Sequence, residues 1–122
     1  MNSKVLLVIR IVFALFLLFF GLNKFLHFMD PPPPPEEAMG YWTALSASKT
    51  MVLVAIVEVA AGLALLFNKY AALMMVILMS VSVNAVLYHA TLDPASIGLG
   101  IVLLVLNLVM LYAYKDHYKG LL

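Results

Sequence analysis

Four apolar stretches, each about long enough to cross a bilayer, leave this 122-residue chain few ways to fold. They run from about Val5 to Phe28, Thr50 to Phe67, Ala71 to Leu92 and Ala95 to Tyr114. An α-helix rises about 1.5 Å per residue and the hydrocarbon core is roughly 30 Å thick, so about 20 apolar residues make one crossing. Within hydrocarbon, backbone N–H and C=O groups must bond inside the structure, which selects helices for isolated spans of this length. Composition agrees: 66% of residues are hydrophobic, 11% are charged and the mean hydropathy is +1.09, outside the range of soluble domains. The expected fold is therefore all-α, a polytopic four-transmembrane-helix bundle forming a single domain over residues 1–122.

The start, "MNSKVLLVIRIVFALFLLFFG", has the basic leader and apolar run of a secretory signal. Its apolar run is too long, Arg10 interrupts it and no small-x-small cleavage site follows, so it reads as a retained span. The link "NKY" between the second and third stretches is so short that they must form an antiparallel hairpin. In "TLDPAS", Asp93 suits an N-cap and Pro94 the first helical position. Lys4, Arg10, Lys69, Lys115 and Lys119 fall on one side of the membrane, and Asp30, Glu36, Glu37 and Asp93 on the other. The basic side is expected to be cytoplasmic with both termini inside, against which only Lys24 and Lys49 count.

The outer loop, residues 30–49, begins with "DPPPPP", whose five prolines make a polyproline spacer of roughly 15 Å. From Pro35, "PEEAMGYWTALSAS" opens with a proline and two acids at the positive end of a helix dipole. Ala38, Tyr41, Trp42 and Leu45 share a face, so a short helix is expected to lie at the outer interface as a lid, with Tyr41 and Trp42 as aromatic anchors.

Polar residues inside the spans carry the functional signal, because a charge at mid-membrane costs about 2.5 to 3.5 kcal/mol on insertion scales. Counted from the inner ends of their spans, Arg10 lies roughly 8 Å deep, Asn107 roughly 10 Å and Glu58 roughly 13 Å. They form an expected buried polar layer, in which Arg10 pairs with Glu58 and Asn107 adds a bond. Lys24, His27, Asn84, His89 and Asp93 form an expected outer layer for a headgroup or ligand, with the Asp93 carboxylate orienting the His89 ring. Facing is legible too. Arg10, Ala14, Leu17, Gly21 and Lys24 make one stripe; Glu58 shares a face with Ala55, Ala61 and Gly62; Ser96, Gly100, Leu103, Asn107 and Tyr114 make another. Against a working site stands the plain alternative that the inner layer is a buried polar lock, and that Lys24 merely snorkels to the headgroups.

The pattern Arg10, then Gly21-x-x-Lys24-Phe25, an acidic loop, Glu58-x-x-x-Gly62 and His89 resembles the DoxX family of small bacterial membrane proteins, and within it a Bacteroidetes-like member. The resemblance runs over nearly the whole chain and implies a four-helix membrane bundle in the bacterial inner membrane. The family is named for a membrane subunit of a thiosulfate:quinone oxidoreductase, which implies a link to membrane redox systems. The polyproline segment departs from the family pattern and points to a different outer partner.

Some function classes fall away. A formal charge of +1 leaves no basic surface for nucleic acid. The absence of cysteine removes thiol–disulfide chemistry. The histidines lack tight ligand spacing, so no metal is expected. Three readings remain: an accessory subunit holding a bound quinone or phospholipid, a structural subunit of a larger membrane complex or homo-oligomer, and a small proton-coupled transporter using Glu58. No self-sufficient catalytic centre or redox group is evident, and catalytic residues are not assigned. The accessory reading ranks first, because a cation and a histidine at the outer boundary suit a quinone carbonyl or an anionic headgroup.

Overall fold

The computed structural model describes residues 2–27 and 33–121, so Asp30, the first two prolines of the loop and the expected span end at Phe28 lie outside the described residues. Five α-helices follow in order: α1 (Ser3–Leu26), α2 (Met39–Ala47), α3 (Thr50–Phe67), α4 (Ala71–Leu92) and α5 (Ile97–Ala113). Short 3-10 turns precede α2 at Glu36–Ala38 and α5 at Pro94–Ser96, and another follows α5 at Lys115–Leu121. Four elements are long and apolar enough to cross a membrane, the last being Pro94–Ala113. Between 22% and 33% of each span is buried within the bundle, so most of its apolar surface faces outward, as lipid requires.

Local chemistry explains the ends. The Asn2 side chain accepts from the Lys4 N–H and caps α1. His27 closes α1 in the left-handed region, its N–H bonding the Asn23 carbonyl. Between α3 and α4 only Asn68, Lys69 and Tyr70 intervene, and Asn68 and Tyr70 both take positive φ. Pro94 stands at the start of its turn as expected, but the Asp93 side chain makes no cap bond. Its backbone carbonyl instead accepts from the Ser96 N–H at 3.2 Å.

The spans pack in ring order α1, α3, α4, α5, neighbours antiparallel, with α1 and α5 touching only lightly. Two tight pairs make up this ring. In the first, α1 buries Phe13, Ala14, Leu17 and Gly21 against Ala55, Glu58, Ala61 and Gly62 of α3. A methyl added at Gly21 would come within 3.1 Å of the Val59 backbone nitrogen, and one at Gly62 within 2.8 Å of Leu18 Cγ. These two glycines let the helices approach closely, as small residues do between membrane helices. In the second pair, α5 buries Gly100, Leu103, Asn107 and Met110, and a methyl at Gly100 would meet the His89 ring at 3.1 Å. The buried faces of α1 and α3 follow the stripes read from sequence; on α5, Met110 is an addition, and Tyr114 is only partly buried.

The end of the bundle carrying the start of α1, the α3–α4 turn and the end of α5 is here the termini side; the opposite end, carrying α2, is the loop side. On the termini side the Tyr118 hydroxyl donates to the Ala72 carbonyl at 2.7 Å and straps the last turn onto α4. Burial, with Tyr114 nearby adding to it, pushes this hydroxyl above the usual phenol range, so it stays a donor.

Candidate functional site

Glu58 is paired, but with Lys24 rather than Arg10: Lys24 Nζ lies 2.7 Å from Glu58 Oε1. Register and side-chain direction explain this correction. At 24 residues against 18, α1 overhangs α3, and Arg10 comes level with Leu65 and Leu66. That is seven or eight residues, about 11 Å, from Glu58. Side chains lean toward the N-terminus of their helix. Arg10 reaches only the last turn of α3, well short of Glu58. Lys24, near the loop-side end of α1, leans back into the bundle, while Glu58 on the oppositely directed α3 leans out to meet it. Gly21, one turn before Lys24, touches the Glu58 Cβ region and sets the gap. The Lys24 ammonium also donates to the Phe20 carbonyl at 3.4 Å. The carboxylate is buried with 5% of its side chain exposed; the lysine keeps 27%.

The remaining members of the expected inner layer serve elsewhere. Arg10 Nη1 donates to the Leu65 carbonyl and, at 3.3 Å, to that of Leu66. It reinforces the last turn of α3, where the Leu65 carbonyl otherwise accepts only a long 3.4 Å bond from the Asn68 N–H and the dipole favours a cation. Asn107 does not reach Glu58. Its Nδ2 donates to the Met75 carbonyl at 3.0 Å and its Oδ1 accepts from the Ser82 hydroxyl at 2.7 Å, tying α5 to α4. The expected single layer is thus three separate ties at three places, because each polar group bonds within its own packed pair.

At the loop side, α2 is clasped to α4. Tyr41 stacks on Tyr88 with ring centroids 4.9 Å apart, and its hydroxyl accepts from Asn84 Nδ2 at 2.9 Å. Trp42 meets the Tyr88 ring edge-on and its indole N–H donates to the Tyr88 hydroxyl. Asn84 lies eight residues, about 12 Å, before the end of α4, so Tyr41 hangs down the side of the bundle. The expected anchors are therefore engaged with protein. The His89 ring packs against Tyr88 at 4.8 Å. Its Nδ1 lies 3.4 Å from the Asp93 backbone carbonyl, which takes the place expected of the Asp93 carboxylate. His27 sits exposed at the end of α1.

Tyr88 is the residue that sequence reasoning missed. It links α2 to His89, and its position one turn from the end of α4, where aromatic belts form, is the signal that could have found it. Nor does the sequence mark Ser82 as the partner of Asn107. Chemically, the loop side offers a partly exposed ammonium held by a carboxylate, and an aromatic cluster carrying an imidazole. Every buried side-chain polar atom among the described residues has a partner. A family model described as DoxX matches residues 5–90, well over half of the chain, taking in α1 and nearly all of α4. No curated protein and no solved structure matches.

Proposed function

The chain belongs to the DoxX family, and from that premise we propose that it is an accessory membrane subunit. It holds the headgroup of a quinone or lipid-like molecule at its loop side, for a membrane redox or assembly system. In this reading it lies in the bacterial inner membrane with both termini cytoplasmic, following the excess of lysine on the termini side. The observation that carries the reading is the Lys24–Glu58 pair. Its carboxylate is buried while its ammonium stays partly open. An ammonium held in this way is oriented to donate to a carbonyl or phosphate oxygen, and Glu58 acts through it as a positioning residue. The same pairing speaks against transport, since a carboxylate already bonded to a lysine is not a free proton carrier. Arg10 and Asn107, bonded to helix carbonyls, are structural ties.

The test is native mass spectrometry of the purified protein beside the double variant Lys24→Met/Glu58→Gln. The double variant removes the pair without stranding either charge. The wild type should carry a quinone or phospholipid, and the variant should lose it by about tenfold, the worth of one charged hydrogen bond. Only protein partners in both samples would overturn the reading in favour of a structural subunit. Proton flux in liposomes that Glu58→Gln abolishes would overturn it in favour of transport.

A further inference from the structure

The termini side carries a feature that the loop-side reading does not use. A groove of about 490 Å³ runs along the outer surface between α3 and α4. Ala60, Ala64 and Phe67 form one wall and Leu73 part of the other, with Lys69 and Tyr70 at the mouth. Ala60 and Ala64 make the hollow, because two methyl side chains one turn apart leave room that larger neighbours would fill.

Three observations say what fits it. The first is length. From Ala60 to Phe67 the groove follows about 10 Å of helix, roughly two-thirds of the ~15 Å depth of one leaflet. A partner transmembrane helix would run through both leaflets; this hollow ends inside one. The second is charge. Lys69 is exposed, no acid pairs with it among the described residues, and no acid lines the groove. The third is the turn. Tyr70 takes a left-handed conformation that a bulky side chain rarely adopts, and this leaves it 80% exposed beside Lys69. A tyrosine and a lysine standing together where an apolar span ends match the headgroup region of a bilayer. A smaller hollow of about 270 Å³ beside Val5 and Val8 has Lys4 at the same end of the bundle, so the positive mouth is not peculiar to one groove.

We propose that the α3–α4 groove binds one acyl chain of an anionic phospholipid from the termini-side leaflet, with Lys69 bonded to its phosphate and Tyr70 at the level of its glycerol. The apolar walls hold the chain and Lys69 selects the headgroup. This site lies at the opposite end of the bundle from Lys24 and Glu58, so it stands or falls apart from the proposed function.

The experiment titrates the delipidated full-length protein with phosphatidylglycerol or phosphatidylcholine and follows adducts by native mass spectrometry. One phosphatidylglycerol should persist under activation that strips phosphatidylcholine. Lys69→Gln, a change at an exposed side chain, should weaken phosphatidylglycerol by about fivefold and phosphatidylcholine by less, because the choline cation already offsets the phosphate charge there, so the preference between the two lipids shrinks. Ala60→Leu should fill the hollow and weaken both lipids alike while the loop-side ligand is retained. Equal retention of the two lipids by the wild type overturns the proposal, as does a Lys69→Gln variant with undiminished preference. A dimer that Ala60→Leu disrupts, with no lipid adduct, would assign the groove to a second copy of the chain. If Ala60→Leu does not fold, Lys69→Gln decides the question alone.

Discussion

Lys24 stands near the end of α1 with part of its side chain open, whereas Glu58 is enclosed between α1 and α3. Removing either partner therefore leaves a different residue behind. Lys24→Met strands a carboxylate in an apolar interface, which costs about 3 kcal/mol. Glu58→Gln leaves a lysine whose flexible stem can carry the ammonium out to the headgroups, and should cost about 1 kcal/mol. Unfolding in detergent of both single variants and the double variant measures this. The double variant should be more stable than Lys24→Met alone, since it no longer buries an unpaired charge. Equal losses in the two single variants would show that Glu58 is not enclosed as described.

At the scale of elements, α2 is held by rings and by two hydrogen bonds to α4. It buries none of its own residues, so Tyr41 and Trp42 carry its docking. Trp42 is the only tryptophan in the chain, which makes its fluorescence a direct report of this contact. Tyr88→Ala removes the stacking partner of Tyr41 and the hydrogen-bond partner of Trp42 together. Its expected effect is a changed Trp42 emission and faster hydrogen exchange at the α2 amides, with the four spans still protected. Tyr41→Phe keeps the stacking and loses one bond to Asn84, so it should change exchange by about 1 kcal/mol or less. An α2 whose protection survives Tyr88→Ala would be held by something other than this clasp. The short helix expected from sequence is therefore a segment with a definite latch on α4.

For the molecule as a whole, two tight helix pairs are joined along α3 and α4, and each has its own polar tie. Gly62→Ala overpacks the α1–α3 contact against Leu18 and the Ala14 carbonyl, and should cost about 1 to 3 kcal/mol. Asn107→Leu breaks the α4–α5 tie and leaves the buried Ser82 hydroxyl only the Leu78 carbonyl of its own helix, at about 1 kcal/mol. The two sites share no partner, so their effects should add to within about 0.5 kcal/mol in detergent unfolding. A large coupling would mean that the pairs do not pack independently. The family match ends at residue 90, before α5 begins, yet α5 completes the bundle against α4 in the same antiparallel manner as α1 against α3.

The number of spans, the tight α3–α4 turn, the outer helix and the inward faces of α1 and α3 all followed from the sequence by itself. Each depends on hydropathy or on spacing within one helix, which the chain order carries directly. Which charge meets Glu58 did not follow, although Lys24 and Arg10 were both visible on the same face. Depth counted from span ends assumes helices that begin level, and α1 overhangs its neighbour. It also places charges at their Cα atoms, whereas side chains lean toward their own N-terminus and so converge or diverge between antiparallel helices. The carboxylate of Glu58 was legible as a group that needs a partner. Only the register of α1 against α3 made that partner Lys24, leaving Arg10 to finish the end of α3 and Asn107 to hold α5.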